Sequence, residues 1–192
     1  MPLWGTSNGH IAVVICCADF KRKIKLKMTN KERALLVADK AHANQTYDIY
    51  PYGYHIRQVV KIAEELGYDE SIIVASALHD TLEDTELSYN DLKKAFGEEV
   101  AEIVYCVTDE LGRNRKERKA KTYPKIKGNW KATIVKICDR IANMQQSKDY
   151  NQRLFDMYKN EHDDFCRSLM CKDHPHSETN KAWAKLNKLV LT

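Results

Sequence analysis

Glycine and proline are scarce in this chain, with only 7 and 4 among 192 residues. Such a composition argues against a collagen-like chain, a disordered chain and an all-β sandwich with many tight turns. Long hydrophobic runs are also absent, because the most apolar stretch, residues 11–18, is far shorter than the roughly 20 residues that span a bilayer. No basic segment precedes this stretch, so it is a poor secretory signal, and we expect no membrane partner.

The cysteines show neither a CxxC pair nor the spacing of a zinc ribbon. Together with the poor secretory signal, this predicts reduced thiols in a cytoplasmic protein. The six cysteines are Cys16, Cys17, Cys106, Cys138, Cys166 and Cys171.

Neither sign of charge dominates, since 31 Lys and Arg stand against 27 Asp and Glu, a formal net charge of +4. This balance does not indicate a nucleic-acid binder, and we expect no nucleic-acid partner. The charges are nevertheless segregated: residues 80–110 contain ten acids and two lysines, whereas residues 113–127 contain eight bases and one acid. An acidic block followed by a basic block suits a metal site beside an anion site, with two solvated helix faces as the alternative.

The chain after residue 27 reads as helical almost throughout, which predicts an all-α helical bundle and a single domain over residues 28–192. A capping-box pattern, Thr29 followed by Glu32, marks its start, and residues 1–27 form an extension of uncertain structure. Apolar residues that recur every three or four positions predict the helices. The predicted helices cover about residues 30–44, 54–66, 70–80, 88–97, 98–108, 113–127 with an interruption at Pro124, 130–146, 150–170 and 177–190.

Four ionisable residues, His55, His79, Asp80 and Asp139, fall inside segments that should be apolar. Each alone is more simply a hydrogen-bonded core residue or a cap. Several buried carboxylates in one core, however, require a cation or a partner, and two imidazoles with two carboxylates are ligands that a divalent transition metal accepts. Because neighbours on a helix point about 100° apart, His79 and Asp80 can share a metal only beyond the helix edge. Further polar residues lie one helical turn on, at Glu83, Asp84 and Asn143.

Two segments carry a resemblance to a known family. Residues 77–85, ALHDTLEDT, resemble the ALLHDTVEDT signature of the RelA/SpoT hydrolase domain and its small stand-alone relatives, and residues 136–143, KICDRIAN, resemble KLADRLHN. Over roughly residues 30–150 the chain resembles the HD metal-dependent phosphohydrolase superfamily. The resemblance implies an HD-domain helical bundle with one bound metal, usually manganese, with another divalent metal as the alternative. It also implies removal of the 3′-pyrophosphate from ppGpp and pppGpp, the nucleotides of the stringent response.

The resemblance also implies roles for individual residues. Two adjacent carboxylates near a metal titrate as a coupled pair, so Glu83 and Asp84 are assigned a joint role in orienting water or transferring a proton. By position, His55, His79, Asp80 and Asp139 match the metal ligands, Glu83 and Asp84 match the catalytic pair, and Arg140 and Asn143 match residues near the nucleotide pocket.

The part that reads the nucleoside departs from the family pattern. Alarmone hydrolases carry an Arg-Lys pair that packs around the guanine base, and the corresponding positions here are about Tyr47 and Asp48. A tyrosine of this stretch is predicted to stack on the base or ribose, with a tyrosine-rich surface turn as the alternative; the candidates are Tyr47, Tyr50, Tyr52 and Tyr54. The basic segment is predicted to meet the phosphates, with a solvated helix face as the alternative. Its predicted substrate-binding residues are Arg113, Lys116, Arg118, Lys119 and Lys121.

The leading hypothesis is therefore a metal-dependent hydrolase of a nucleotide polyphosphate, with ppGpp as the first candidate. A nucleotide or dinucleotide phosphatase of the wider HD group keeps the site and changes the substrate. A non-catalytic nucleotide sensor is a third hypothesis, but a sensor has no need of Glu83 and Asp84. A nucleic-acid-binding module is weaker still, because the basic run lacks a base-reading motif. The sequence specifies neither the oligomeric state nor the preferred base.

Overall fold

Helices make up nearly all of the regular structure. The computed structural model describes residues 28–192, so the predicted extension over residues 1–27 lies outside the described residues. No helix in the described part is both long and apolar enough to cross a membrane. The predicted all-α bundle is confirmed. Its elements are α1 (Asn30–Ala41), β1 (Thr46–Tyr47), β2 (Tyr50–Pro51), α2 (Gly53–Glu65), α3 (Glu70–Leu78), α4 (Thr81–Asp84), α5 (Tyr89–Phe96), α6 (Glu98–Val107), α7 (Arg115–Gly128), α8 (Trp130–Tyr150), α9 (Gln152–Asn160), α10 (His162–Leu169) and α11 (His176–Val190).

Side-chain caps set where several helices begin. The Thr29 hydroxyl accepts a hydrogen bond from the backbone N–H of Glu32 at 3.2 Å, and the Glu32 carboxylate accepts one from the N–H of Thr29 at 2.8 Å. Ser88 and Asp91 form the same reciprocal box at the start of α5. Each cap satisfies N–H groups that the helix leaves without a partner and contributes about 1 kcal/mol. Asp69, Asn114 and Asn129 cap α3, α7 and α8.

The long helix α8 lies at the centre of the bundle and contacts α2, α3, α6, α7, α9 and α11. Its apolar positions follow the helical repeat, which buries one continuous stripe of side chains. Ile134, Ile137, Ile141 and Met144 are all fully buried on it. The second buried helix is α3, whose sequence is apolar nearly all round and which packs against α1, α2, α6 and α8.

Pro124 does not interrupt α7, so that expectation from the sequence is wrong. A proline inside a helix removes one backbone hydrogen bond and costs about 3 kcal/mol. Here Thr122 and Ile126, on either side of the proline, are both fully buried. The Thr122 hydroxyl also accepts a hydrogen bond from the N–H of Glu110 at 2.8 Å. Tertiary packing therefore holds the helix together across Pro124.

The single helix predicted over residues 150–170 is two helices, because α8 runs on to Tyr150 and the chain turns again between α9 and α10. Glu161 lies at this turn with φ −82° and ψ −8°. Its carboxylate forms ion pairs with Arg115 and Lys119 on α7 and with Arg140 on α8. The turn directs α10 onto α7 instead of continuing the line of α9.

A two-stranded hairpin replaces the irregular stretch expected after α1. Thr46 pairs with Pro51 and Tyr47 pairs with Tyr50. Asp48 in the loop has φ 53°, a left-handed conformation that Asp adopts more readily than most residues. Strands of two residues are too short to produce an alternating pattern, so the sequence does not reveal them.

Candidate functional site

Four helices bring the predicted metal ligands into one buried cluster. His55 lies in α2, His79 directly after α3, Asp80 directly before α4, and Asp139 in α8. Ligand atoms of His55, His79 and Asp80 all lie within 4.8 Å of one another. Oδ1 of Asp139 lies 3.3 Å from Nε2 of His55 and 3.9 Å from Nε2 of His79. These four residues, called the His–Asp cluster below, contain a two-histidine, one-carboxylate group that can hold a divalent metal, with a second carboxylate beside it.

The helical path is interrupted between His79 and Asp80, where the sequence predicts one helix over residues 70–80. Helix α3 ends at Leu78 and α4 begins at Thr81, and Asp80 between them has φ −99° and ψ −1°. Oδ2 of Asp80 consequently lies 2.9 Å from Nε2 of His79. On an uninterrupted helix these adjacent side chains would point in different directions. The interruption turns both of them towards one site.

The hydrogen bonds of His79 fit a metal ligand. Its Nδ1 lies 2.9 Å from the backbone carbonyl oxygen of Ser76, so Nδ1 carries the proton and donates it. This leaves Nε2 as the nitrogen available to a metal, and Nε2 is buried and has no hydrogen-bond partner of good geometry. A ring nitrogen fixed in this way through its other nitrogen is the usual arrangement of a metal-bound histidine. The donor set is therefore suited to a divalent cation.

The pKa of each of the two carboxyl groups of the cluster lies below its usual range, which favours the ionised form. Burial by itself raises the pKa of Asp80 and of Asp139, but His79 lowers the pKa of Asp80, and Lys136 with the two histidines lowers that of Asp139. Burial also lowers the pKa of His79, but the negative charge of Asp80 outweighs burial and raises that pKa to about 9, so a metal that binds Nε2 would displace a proton from it. The cluster thus concentrates negative charge where a metal cation would be stabilised.

Neighbouring polar groups orient the two carboxylates. The Tyr52 hydroxyl donates a hydrogen bond to Oδ2 of Asp80. Nδ2 of Asn143 donates to the carboxylate of Asp139 and, at 3.1 Å, to its backbone carbonyl. The Tyr47 hydroxyl donates in turn to Oδ1 of Asn143 at 2.8 Å. Such outer partners are part of the design of a metal site because they fix its ligands.

Glu83 and Asp84 lie on α4 at the solvent-exposed edge of the His–Asp cluster. The N–H of Asp109 donates to Oε2 of Glu83 at 3.0 Å, and the backbone carbonyl of Asp84 accepts a hydrogen bond from Gln45 at 2.7 Å. Partial desolvation raises the pKa of both carboxyl groups, and the charge of Asp80 adds to both shifts. A raised pKa brings a carboxyl group closer to the range in which it exchanges a proton with water.

A cavity of about 110 Å³ adjoins Asp139, and four of its nine lining residues are bases. Arg115 and Lys119 come from α7, and Lys136 and Arg140 come from α8. Arg140 is only 6% exposed, and its guanidinium lies over the ring of Tyr158 at 4.6 Å. This cavity, called the basic cavity below, suits an anion held beside the metal. Its other lining residues are Asp109, Tyr123, Asp139, Asn143 and Tyr158.

The structure places some of the predicted substrate-binding residues at the basic cavity. Lys119, Arg140 and Asn143 line it. Tyr47 is one contact removed, through its hydrogen bond to Asn143, and its ring is stacked on His55 with 4.6 Å between centroids. Lys116 instead faces a wider depression of about 570 Å³ on the outer side of α7.

The remaining predicted bases of the segment do not line the basic cavity. Arg113, whose side chain is 91% exposed, lies 3.0 Å from the Glu117 carboxylate, and Lys121 lies 3.4 Å from it. Arg118 lies 3.8 Å from Asp109. The physical reason is the helical repeat, since only residues three or four apart share one face of α7. Substrate binding by these residues stays a prediction.

Sequence reasoning missed four residues of the site. Arg115 could have been found, because it lies four residues before Lys119 and therefore on the same helix face. Lys136 carried a comparable signal, three residues before Asp139, and its Nζ lies 3.1 Å from Oδ2 of that residue. The sequence indicates Tyr52 only as a residue that could stack on the nucleoside, and Glu161 gives no signal, because the contacts that both residues make arise only through the tertiary fold.

Glu161 is the acidic member of the basic surroundings. Its carboxylate accepts two hydrogen bonds from Arg115 at 3.2 and 3.3 Å, one from Lys119 at 2.5 Å and one from Arg140 at 3.4 Å. Burial raises its pKa, but Arg115 and Lys119 outweigh burial and lower it to about 2. Glu161 lines two outer depressions of about 600 and 570 Å³, and neither of them touches the His–Asp cluster.

A helical bundle with buried histidines and aspartates on successive helices defines the HD class of domains. The HD domain family matches residues 34–164, a range that contains the whole His–Asp cluster. The chain therefore belongs to the HD-domain family, and both the predicted membership and the predicted fold class are confirmed.

Curated relatives share part of the chain. A guanosine-3′,5′-bis(diphosphate) 3′-pyrophosphohydrolase of Aquifex aeolicus is 35% identical over 120 residues, which are 59% of this chain and 17% of that protein. The bifunctional (p)ppGpp synthase/hydrolase SpoT of Escherichia coli is 36% identical over 121 residues, with the same coverage. The Drosophila melanogaster guanosine-3′,5′-bis(diphosphate) 3′-pyrophosphohydrolase MESH1 is 34% identical over 98 residues, 50% of this chain and 55% of that protein. The chain thus spans about a sixth of the two bacterial proteins and about half of the insect one.

Solved structures share the fold. A metazoan ortholog of SpoT, described as hydrolysing ppGpp, superimposes with a TM-score of 0.68 over 84% of this chain and 94% of its own. The sequence identity is 24%, so this likeness concerns the fold alone. A protein of Listeria monocytogenes EGD-e superimposes with a TM-score of 0.57 at 27% identity, over 74% of this chain and 97% of its own.

His79→Gln is expected to abolish tight metal binding, because it removes a ligand nitrogen whose orientation the Ser76 carbonyl fixes. The divalent metal bound by the chain, measured by elemental analysis after gel filtration, should fall by at least tenfold relative to the unmodified chain. His176→Gln is the matched control, because His176 is exposed and lies outside the cluster. Equal metal content in the two variants would show that the cluster does not hold the ion.

Glu161→Gln is expected to change how stability depends on pH. The folded-state pKa of Glu161 is depressed, so its contribution is complete above its ordinary pKa of 4.5 and is lost as the pH falls towards about 2. The variant should therefore lose about 2–3 kcal/mol of unfolding free energy at pH 7 and progressively less below pH 4.5. Urea unfolding at a series of pH values measures this. A gap that stays constant down to pH 3 contradicts the assignment.

Proposed function

We propose that the chain is a metal-dependent hydrolase that removes the 3′-pyrophosphate of ppGpp or pppGpp. The observation that carries the proposal is the adjacency of three parts: the His–Asp cluster, the carboxyl pair Glu83 and Asp84 at its edge, and the basic cavity beside Asp139. A metal, a proton-transferring group and a polyanion site are the parts that hydrolysis of a phosphorylated nucleotide requires. The names of the relatives from Aquifex and Drosophila support this activity.

The metal in this proposal is manganese, held by the four residues of the His–Asp cluster. Nitrogen donors from His55 and His79 combined with oxygen donors from Asp80 and Asp139 are a ligand set that manganese accepts. A divalent ion bound there lowers the pKa of a coordinated water and neutralises charge on a phosphoryl oxygen. Hydrogen bonds from Tyr52 and other outer partners hold the carboxylates in place for it.

Glu83 and Asp84 handle the proton in the proposed reaction. Hydrolysis joins a water oxygen to the phosphorus of the 3′ ester and breaks the bond from that phosphorus to the 3′ oxygen. The water gives up a proton, the 3′ oxygen takes one up, and pyrophosphate leaves. Carboxyl groups with raised pKa values suit both transfers, and the N–H of Asp109 fixes the position of Glu83.

The basic cavity binds the phosphates of the substrate in this proposal. Arg115 and Arg140 offer planar guanidinium groups for two parallel hydrogen bonds to phosphoryl oxygens, and Lys119 adds a point charge. Asn143 links this cavity to the cluster, because it lines the cavity and donates a hydrogen bond to Asp139. Asp139 therefore belongs both to the His–Asp cluster and to the lining of the basic cavity.

A second candidate, an HD-type nucleotide or dinucleotide phosphatase with another substrate, is favoured by the nucleoside side of the site. Tyr47 stands near the first position of the Arg-Lys pair. Its ring is stacked on His55 and its hydroxyl donates a hydrogen bond to Asn143, so this side chain already has partners within the site. Asp48, near the second position, is exposed and accepts a hydrogen bond from Gln146 at 3.1 Å. Neither residue provides a cation to stack on a purine.

The cellular setting proposed for this enzyme is the cytoplasm. Within residues 28–192 all cysteines are free thiols, and one of them is buried in the core of α8. Reduced cysteines are the normal state in that compartment, which supports the proposal. The four thiols are Cys106, Cys138, Cys166 and Cys171.

Glu83→Gln and Asp84→Asn should each lower the turnover of ppGpp by roughly a hundredfold or more, because each keeps the size of the side chain and removes its acid–base function. Chromatographic measurement of pyrophosphate release with manganese tests this, and metal content should stay near that of the unmodified chain. Glu86→Gln is the control, because Glu86 is an exposed acid on the same segment. Full activity in both variants would assign the proton transfer to other groups.

The base preference is expected to be weak, because a guanidinium stacked on a purine contributes about 0.5–2 kcal/mol and no such group occupies the Tyr47 and Asp48 positions. This predicts that ppGpp and its adenine counterpart differ in kcat/KM by no more than about tenfold to thirtyfold. Both nucleotides are to be compared side by side under identical conditions. A preference above about a thousandfold would require a base-reading contact from the hairpin. Turnover of neither nucleotide would favour the second candidate.

A further inference from the structure

The carboxylate of Glu161 and three bases form a compact ion cluster at the wall of the basic cavity. Arg115, Lys119 and Arg140, called the basic triad below, all donate hydrogen bonds to this one carboxylate. The Lys119 and Arg140 side chains are only 18% and 6% exposed, and that of Glu161 is 27% exposed. The members come from α7, α8 and the turn between α9 and α10.

The contacts of Glu161 are those that a phosphoryl group would make. Arg115 grips both carboxylate oxygens through Nε and Nη2, the fork geometry with which arginine also binds phosphate. Lys119 adds a charged donor at 2.5 Å. Three positive charges surround one negative charge, so the ion cluster has a net charge of +2. Lys136 and Asp139 on the cavity side already form their own pair.

The basic triad lines the basic cavity next to Asp139, but Glu161 does not. Glu161 instead faces the two outer depressions, one of which also exposes Arg115 and Lys119. The same donors can therefore turn either outwards to the carboxylate or inwards to an anion beside the His–Asp cluster.

We propose that Glu161 is an internal counter-anion that competes with the phosphates of the ligand for the basic triad. It keeps three mutually repelling bases ordered while the site is empty, and it gives up part of their hydrogen bonds when a phosphoryl group enters the cavity. The carboxylate thus weakens the binding of phosphates, including a pyrophosphate product that must leave for turnover to continue. The inference rests on the proposed function for the identity of the ligand.

Calorimetric titration of inorganic pyrophosphate into the full chain tests this inference. Glu161→Gln should tighten binding about tenfold, because the neutral amide no longer competes for the charged donors. Asp164→Asn is the matched control: it removes the same charge one helical turn away, from a residue that lines the same depressions and pairs with Arg167 instead of the triad. The control should bind pyrophosphate like the unmodified chain.

Thermal unfolding separates competition from a purely structural role. Without ligand, Glu161→Gln should melt at a lower temperature, because the triad loses its counter-charge. Added pyrophosphate should then raise its melting temperature by more than it raises that of the unmodified chain. A residue that only supports the fold would show no such selective rescue. Glu161→Asp, which keeps the charge and withdraws it by one methylene, should give a smaller gain in affinity and serves if the Gln variant does not fold.

Pyrophosphate binding that is unchanged or weaker in both Glu161 variants overturns the proposal. Since the binding measurement needs no catalysis, its outcome is independent of whether the chain hydrolyses ppGpp. A chain that fails to hydrolyse ppGpp, yet binds pyrophosphate more tightly after Glu161→Gln, would refute the proposed function and leave the role of Glu161 standing.

Discussion

The ionised side chain of Asp139 in the middle of the central helix is the constraint on which the rest of the structure depends. An unpaired carboxylate at this depth would cost several kcal/mol, so other elements must bring partners to it. Helix α2 supplies His55, α3 supplies His79, and α8 itself supplies Lys136 and Asn143. The same packing of α2 and α3 onto α8 therefore forms both the hydrophobic core and the candidate metal site.

The interruption after α3 connects this buried charge to solvent. Because α3 ends at Leu78, the side chains of His79 and Asp80 both point into the His–Asp cluster. The short helix α4 follows, and its residues Glu83 and Asp84 are exposed to solvent. Burial decreases along this path, from the 3% exposure of His79 to the solvent-exposed pair on α4. The candidate metal ligands lie where water is largely excluded, and Glu83 and Asp84, whose carboxyl groups suit proton exchange, lie in contact with solvent. The local backbone geometry thus orders the proposed chemistry in space.

Local patterns made much of this predictable from the sequence. The Thr29 and Ser88 boxes and the apolar stripe of α8 depend on neighbours within a few residues, and the ligands stood out as charges among apolar positions. Pro124 was misjudged because long-range burial overrides the local cost of a proline. The role of Glu161 was invisible because its partners lie 21 to 46 residues away in the chain. Ion pairs between residues so far apart produce no periodic pattern in the sequence.

The proposed phosphate-binding end and the proposed nucleoside-binding end of the site differ in how firmly their side chains are held. At the phosphate end, Arg140 is buried and stacked on aromatic rings, and the surrounding donors are fixed by ion pairs, so the geometry is ordered before a ligand binds. At the nucleoside end, Asp48 is exposed on a two-residue loop, and the Tyr47 ring is stacked on His55, a residue of the candidate metal site. Under the proposed function, the free energy of substrate binding would therefore come mainly from charge and little from the base. Such an enzyme would select its substrates by the number and placement of their phosphates.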